Sequence, residues 1–181
     1  VAGSAEILFL EGYLYDKPKG MQAFERAVEL CHKTGGKAGI ALSDPFCVDR
    51  HRGDFRRLVK SLDYVIGNEH EWASLYQTDL SAALEQAAAD AGLVVCTRSG
   101  HDVIVVRGEE QAVVPVRRVV PVDATGAGDQ FAAGFLYGLA TGQPLATAGR
   151  MGCVAAAEVI SHFGARPETD LKALFRKEGL I

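Results

Sequence analysis

The chain has 181 residues, of which 48% are hydrophobic and 23% are charged, as in globular proteins that bury an apolar core. Its net charge is -4 and its basic residues are scattered, which argues against nucleic acid or a membrane surface as a partner. No apolar run reaches the length of a membrane span, no signal peptide is recognisable, and four widely spaced cysteines favour free, buried thiols in a reducing cytoplasm.

Hydrophobic periodicity predicts alternating strands and helices in the first half of the chain. The expected strands lie at 7–10, 38–42, 64–66 and 93–96. The expected helices lie at 18–34, near 53–62, from 68 to 76 and at 80–91. Between them, the segment SDPFCVDRHRG (43–53) is expected to be a loop whose basic cluster Arg50, His51 and Arg52 is solvated rather than bound to phosphate.

The second half begins with a different pattern. Strands at 103–107 and 111–117 are separated by a glycine-containing break that predicts a hairpin, and helices are expected at 128–140 and 144–163. Together the two halves predict an α/β class domain over residues 1–181. Its sheet is expected to be mostly parallel, flanked by helices on both faces, with an antiparallel edge.

Three polar loops connect predicted elements, and each contains residues able to contact a ligand. SDPF follows the second strand, GNEHE follows the third, and DATGAGD precedes the helix at 128–140. Because ligands of open α/β sheets collect at the carboxyl ends of strands, we expect these loops to converge on a binding site.

The segment DATGAGDQFAAG (123–134) combines glycines with carboxylates at a predicted helix start. Gly126, Ala127 and Gly128 would present backbone N–H groups to an anion, yet Asp129 places a negative charge beside them. One interpretation is structural: Asp129 stabilises the helix dipole and Thr125 caps the helix. The other is catalytic: Asp129 accepts a proton from a substrate hydroxyl while the N–H groups stabilise a phosphoryl group in transfer.

The same segment resembles the D-T-x-G-A-G-D-x-F-x-x-G signature of the PfkB (ribokinase) family of carbohydrate and nucleoside kinases, with Ala124 in place of the usual threonine. GNEHE resembles the family's N-x-x-E motif, and GARPE (164–168) resembles its C-terminal nucleotide region. The matches follow the family's order over nearly the whole chain. SDPF followed by GNEHE is most similar to adenosine kinases and their bacterial sugar-kinase relatives, and the resemblance implies a ribokinase-like fold.

Roles carried over from the family fall on the matching residues. The resemblance implies that Asp129 is the catalytic base and that the three preceding residues, 126–128, form the anion hole. It implies that Asn68 and Glu71 position Mg²⁺ and phosphate, with Glu71 acting through water, whereas without the resemblance the residues favour a plain helix cap by Asn68.

Further contacts implied by the resemblance concern a cation and the nucleotide. Asp123 and Thr125 match a monovalent cation site, which allows K⁺, although an Asp-initiated turn is the structural alternative. The residues expected along the nucleotide are Asn68, Thr97, Gly100, Gly128, Gly152 and Ala156. For Gly152 and Ala156 close helix packing is the alternative, and for His162 an exposed helix end.

The resemblance therefore implies ATP-dependent phosphotransfer to a primary hydroxyl of an adenosine-like nucleoside or a sugar, with ATP and Mg²⁺ required. The alternative is a module that binds a nucleotide without transferring phosphate. The family's N-terminal half and β lid are not found in this sequence. We therefore expect the chain to be the C-terminal, nucleotide-binding part of such a kinase, inactive by itself, and the resemblance allows a homodimer through the lid.

Overall fold

Six strands form one sheet in the structure, a computed structural model that describes residues 2–181. The strands are β1 (Ile7–Glu11), β2 (Lys37–Ala41), β3 (Tyr64–Asn68), β4 (Val94–Arg98), β5 (His101–Arg107) and β6 (Glu110–Val114). They lie in the order β1-β2-β3-β4-β5-β6, so each strand neighbours the one that precedes it in the chain.

Helices connect the first four strands and make up most of the chain after β6. They are α1 (Pro18–Lys33), α2 (Pro45–Arg50), α3 (Arg52–Val59), α4 (Glu69–Tyr76), α5 (Leu80–Asp90), α6 (Ala127–Ala140), α7 (Leu145–Val159) and α8 (Leu171–Lys177). Short 3₁₀ turns cover Ala2–Ser4 and Gly12–Asp16. Over residues 2–181, no helix has both the length and the apolar character that a membrane crossing requires.

Strands β1 to β4 pair in parallel, because a helix returns the chain to the same end of the sheet after each strand. The chain then reverses between β4 and β5 through a two-residue turn at Ser99 and Gly100, both with positive φ (33° and 91°). Such a turn joins antiparallel strands. The predicted α/β class, with a mostly parallel sheet and an antiparallel edge, is confirmed.

The predicted loop at 43–53 is wrong, because this segment forms α2 and the start of α3. Asp44 caps α2 by accepting a hydrogen bond from the Cys47 amide (2.7 Å), and a proline occupies the first helical position. The basic cluster is not simply solvated: Arg50 forms an ion pair with Asp16 (2.9 Å), and the His51 Nε2 is hydrogen bonded to the same carboxylate (2.8 Å).

Two predicted element ends in the second half are also wrong. Strand β6 ends at residue 114 instead of 117, and α7 ends at residue 159 instead of 163. The C-terminal turn of α7 meets the segment that precedes α6, since the amides of Val122 and Asp123 donate to the carbonyl oxygen of Ile160 (2.8 and 3.4 Å). The last carbonyl oxygens of a helix have no donor within the helix, and that of Ile160 accepts from outside it. The helix therefore ends at this point.

The chain divides into two compact units. The first comprises the residues up to 99 together with 106–111, and the second comprises 100–105 and 112–181. In the first unit the parallel strands and their helices bury Phe24, Phe55, Tyr64 and Trp72. All four cysteines are buried and free, as predicted.

In the second unit, α6 and α7 pack closely because glycines leave no side chain between their backbones. A Cβ on Gly134 would lie 2.5 Å from the Met151 carbonyl oxygen, and one on Gly152 would lie 2.8 Å from the Phe131 carbonyl oxygen. Backbone atoms cannot give way as a flexible side chain can, so these glycines are required by packing.

We predict that Gly134→Ala destabilises the protein by about 1–3 kcal/mol, because the added methyl group forces α6 and α7 apart. The matched control is Gly128→Ala in the same helix, where an added Cβ meets nothing within 4 Å. This control should gain up to about 1 kcal/mol from helix propensity. Urea unfolding of both variants measures the difference, and equal stability of the two would contradict the packing argument.

Candidate active site

Two of the predicted polar loops lie at the carboxyl ends of neighbouring strands in the first unit. Asn68 ends β3 and is the register partner of Thr97 in β4, so the structure brings these two predicted nucleotide contacts side by side. The SDPF segment follows β2, and the Leu42 amide donates to the Ile66 carbonyl oxygen of β3 (2.9 Å). The parallel pairing therefore places both loops at one edge of the sheet.

Asn68 and Glu71 form a reciprocal capping box at the start of α4. The Asn68 Oδ1 accepts from the amides of His70 and Glu71 (2.9 and 3.0 Å), which satisfies two N–H groups of the first turn. In return, Glu71 accepts from the Asn68 amide and from its Nδ2 (2.7 and 2.6 Å). Asn68 therefore caps α4, as the structural alternative predicted.

Glu71 is only 4% exposed and is a buried ionisable residue at the strand ends. Burial raises the pKa of Glu71 to about 7, the hydrogen bond from the Asn68 amide opposes the rise, and the charge of Asp44 adds to it. Both of its oxygens already accept hydrogen bonds from Asn68. An arrangement of this kind fits a carboxylate that orients a hydrated Mg²⁺ through water, since Mg²⁺ keeps several of its waters.

Three polar residues beside this pair received no individual role in the sequence analysis, which named Ser43 and Asp44 only as part of the SDPF loop and did not mention Tyr13. Asp44 caps α2, and its carboxylate accepts a hydrogen bond from the Tyr13 side chain, which is the main reason that the pKa of Tyr13 rises to about 12. Ser43 has a φ of 77°, in the left-handed region that non-glycine residues seldom adopt, and its Oγ accepts from the Tyr13 amide (3.3 Å). The sequence signal was available, because Ser-Asp-Pro is a typical helix start.

The second unit places GAGD at the first turn of α6. Gly126 is the N-cap residue with a φ of 78°, and a Cβ there would lie 2.8 Å from the Ala165 Cβ. No side chain caps the helix, so the structural interpretation that Thr125 is the N-cap is wrong. The positive φ of Gly126 and its close approach to Ala165 both require glycine at this position, independently of any ligand.

Gly128 differs from Gly126, because no neighbouring protein atom requires glycine at this position. It is the second residue of α6, and a Cβ added there would meet nothing within 4 Å. Its N–H belongs to the first helical turn, whose amides lack an acceptor within the helix. The Ala127 amide, by contrast, donates to the Ala124 carbonyl oxygen (3.2 Å). An anion would therefore meet open space and free amides at 128 and 129 rather than at 127.

Asp129 is the third residue of α6 and is exposed. Over residues 2–181, its carboxylate forms no hydrogen bond and no ion pair. The third residues of two other helices behave differently, since Glu71 closes a capping box and Asp54 of α3 pairs with Arg57 (2.9 Å). An exposed, unpaired carboxylate beside unused amides can accept a proton close to a bound anion.

Asp123 joins the start of this loop to a second loop of the same unit. Its carboxylate accepts from the amides of Thr125 (2.9 Å) and Gly164 (3.0 Å). The Thr125 side chain and the two amides lower the pKa of Asp123 to about 2. This is the Asp-initiated turn that was the structural alternative, and a monovalent cation at Asp123 and Thr125 stays a prediction.

The remaining predicted nucleotide contacts occupy varied positions. Gly100 is exposed in the turn between β4 and β5, Gly152 is buried against Phe131, and Ala156 is half-buried one turn farther along α7. Their contacts with a nucleotide stay predictions, and for Gly152 the packing alternative is satisfied. His162 is not an exposed helix end: it lies beyond α7, its side chain is 15% exposed, and it contacts Glu158 (3.3 Å).

Comparison with known proteins gives consistent matches. A model of the pfkB family of carbohydrate kinases matches residues 2–171. A cytidine kinase from Thermococcus kodakarensis is 34% identical over 147 residues, which cover 77% of this chain and 53% of that protein. The chain spans about half the length of the relatives that it matches.

Two solved structures share the fold closely. A probable sugar kinase protein from Rhizobium etli has a TM-score of 0.97 and 41% identity, covering 100% of this chain and 56% of that one. An adenosine kinase from Sinorhizobium meliloti has a TM-score of 0.95 and 38% identity, covering 98% of this chain and 55% of that one. The fold described above is thus one that kinases of this kind adopt.

The burial of Glu71 predicts a specific dependence of stability on pH. Because its pKa is raised in the folded state, its contribution is fully present below the ordinary glutamate pKa and is lost as the pH rises through about 7. Between about pH 4 and pH 8, the free energy of unfolding should change less in Glu71→Gln than in the wild type, by on the order of 3 kcal/mol. Urea unfolding across this pH range measures the difference.

A matched control is Glu158→Gln. Burial acts to raise the pKa of Glu158, but hydrogen bonds from Thr169, His162 and Glu168 together outweigh it and lower the pKa. Its contribution is present at high pH and is lost as the pH falls, so this variant should change the slope in the opposite sense. A Glu71→Gln profile parallel to that of the wild type would show that Glu71 titrates normally.

Proposed function

Because the chain belongs to the pfkB family of carbohydrate kinases, we propose that it carries the phosphoryl-transfer residues of an ATP- and Mg²⁺-dependent kinase. The acceptor is a primary hydroxyl of a nucleoside or a sugar, and Asp129 is the general base. The observation that supports this most directly is the exposed carboxylate of Asp129, which has no partner over residues 2–181, beside the open space at Gly128.

Asp129 and the first turn of α6 divide the chemistry between them. The carboxylate accepts the proton of the acceptor hydroxyl, which makes that oxygen a better nucleophile towards the terminal phosphoryl group. The amides of Gly128 and Asp129, together with the helix dipole, stabilise the negative charge on the phosphoryl oxygens during transfer. The carboxylate therefore faces the hydroxyl, and the amides face the phosphate.

Each of the two units contributes residues that position the charged groups. Glu71, held by Asn68, orients Mg²⁺ through water, and the ion when bound neutralises charge on the phosphates. Thr97, next to Asn68 in the sheet, contacts the nucleotide, as do Gly100 and Ala156. Asp123 and Thr125 hold K⁺ beside the anion site.

One observation favours a nucleoside over a sugar as the acceptor. The ring of Phe46 is 77% exposed, although aromatic side chains of this size are usually buried. It lies in the first turn of α2, which Asp44 caps, so an apolar ring and a hydrogen-bonding carboxylate occupy the same short segment. A nucleobase can stack on such a ring, whereas a sugar without a base leaves it in water.

Asp129→Asn separates the catalytic function from the purely structural one. In the intact protein we expect turnover to fall by about 10²–10⁴-fold, because the amide keeps the size of the side chain but cannot accept the proton. Nucleotide affinity should hold or rise slightly, since a charge that faces phosphate is removed. Stability should change by only about 0.3–1 kcal/mol.

The matched control is Asp54→Asn, which removes a carboxylate from the same position of α3. It should lower stability by a similar amount and leave turnover unchanged. Normal turnover in Asp129→Asn, with a lowered melting temperature only, would reduce Asp129 to a helix-start residue. Absence of turnover in the wild-type protein, with nucleotide binding retained, would favour the alternative of a binding module.

Gly128→Ala tests the anion site without damaging the fold. The methyl group fills the open space in front of the first turn, so we expect the affinity for an ATP analogue to fall about tenfold or more, equivalent to ~1.4 kcal/mol. Gly53→Ala is the matched control, because Gly53 is also the second residue of its helix and also faces open space. Calorimetry should show a loss only for Gly128→Ala, and equal affinities in the two variants would exclude an anion at this turn.

A further inference from the structure

A second cluster of chemically reactive side chains lies in the first unit, apart from the residues assigned to phosphoryl transfer. Its members are Asp16, Cys47 and His51, and one ligand atom from each lies within 4.8 Å of the others. Asp16 ends the 3₁₀ turn after β1, Cys47 is in α2, and His51 is at the junction of α2 and α3. No other set of three His, Cys, Asp or Glu side chains in residues 2–181 meets this distance.

The donor atoms of the cluster are a sulfur, an imidazole nitrogen and a carboxylate oxygen. The His51 Nε2 lies 2.8 Å from the Asp16 Oδ1, so two of the donors already touch. Thiolate and imidazole donors select zinc-class cations over Mg²⁺ and Ca²⁺, and three protein ligands leave a fourth tetrahedral position open. Cys47 is buried, His51 is half-buried and Asp16 is exposed, so the cluster reaches the surface at Asp16.

Neighbouring side chains hold two of the three donors in place. The ring of His51 packs against the rings of Tyr15 and Phe55, with a centroid distance of 6.0 Å to each. Arg50 donates to both oxygens of Asp16 (3.0 and 2.9 Å from Nη2), which fixes the orientation of the carboxylate. Outer contacts that orient ligands in this way are a regular part of metal sites.

The charges of the cluster also suit a divalent cation. A Cys47 thiolate and the Asp16 carboxylate would place two negative charges close together, and Arg50 supplies one positive charge beside them. A divalent cation held by one thiolate and one carboxylate makes a neutral centre, beside which the positive charge of Arg50 meets no net repulsion. The same cation removes the conflict between Cys47 and Asp16.

We propose that Asp16, Cys47 and His51 form a binding site for a thiophilic divalent cation of the Zn²⁺ class. The site joins the turn after β1 to α2. That turn carries Tyr13 and α2 begins at the cap residue Asp44, so the cation clamps together the two segments whose side chains hydrogen bond to each other. The inference is independent of the phosphoryl-transfer assignment.

Cobalt absorption tests the site on the protein as it exists, because Co²⁺ replaces Zn²⁺ at such sites and thiolate ligation gives a sulfur-to-cobalt charge-transfer band. We expect the band to appear on titration with Co²⁺ and to disappear when Zn²⁺ is added. Cys47→Ser should abolish it, whereas Asp16→Asn and His51→Gln should weaken Co²⁺ binding by at least about tenfold. Zn²⁺ should also raise the melting temperature of the wild type but not that of Cys47→Ser.

Matched controls are available because Cys31, His32 and Asp63 repeat the same residue types in the same unit. His32 contacts Asp63 at 2.8 Å, as His51 contacts Asp16, but these three do not bring their ligand atoms together. Cys31→Ser and His32→Gln should therefore leave the cobalt band unchanged. No band with excess Co²⁺, or a band that survives Cys47→Ser, would overturn the proposal. If Cys47→Ser does not fold, unchanged Co²⁺ affinity in Asp16→Asn, at an exposed residue, overturns it as well.

Discussion

The parallel pairing of β2, β3 and β4 is the constraint on which the candidate residues of the first unit depend. The carboxyl ends of parallel strands lie at one edge of the sheet. There, the loops that follow must provide hydrogen-bond acceptors for the first N–H groups of the next helices. Asn68 does this for α4 and Asp44 does it for α2, and both are cap residues at neighbouring strand ends. The register partner of Asn68 is Thr97, so a third polar residue follows from the same pairing. A change of register would move all of them.

Three helices of this chain have a carboxylate at their third residue, and the three carboxylates have different fates. Glu71 turns inward to close a capping box and is buried, with its pKa raised to about 7. Asp54 pairs with an arginine one turn later. Asp129 has neither kind of partner over residues 2–181. The helix dipole favours a negative charge at all three positions, so the dipole by itself does not distinguish them. The difference lies in what surrounds each carboxylate, and only Asp129 is left available to an external group.

Glycines that look equivalent in the sequence serve different purposes in the structure. Gly126 is required by its positive φ and by the approach of Ala165, and Gly134 and Gly152 are required because α6 and α7 approach each other closely. Gly128 has neither reason, since its φ is not positive and the space around it is open. Glycine lowers the stability of a helix. Where neither a positive φ nor a close contact within the protein requires it, we infer that a group outside the chain occupies the space beside it. Within GAGD the two glycines therefore support different conclusions, one about folding and one about binding.

The sequence by itself determined the class of fold and supplied the candidate site residues, which stay predictions, because strand and helix periodicities and the GAGD and N-x-x-E motifs are local properties of the chain. It did not lead us to expect the helices within 43–53, although Ser-Asp-Pro is a typical helix start. Nor could it determine the partners of Arg50 and His51, since Asp16 lies more than 30 residues away along the chain and only folding brings it to them. Burial of Glu71, and with it the raised pKa, likewise arises only when α4 packs on the sheet. Periodicity and capping act between near neighbours, whereas desolvation and ion pairing depend on distances that only the tertiary structure decides.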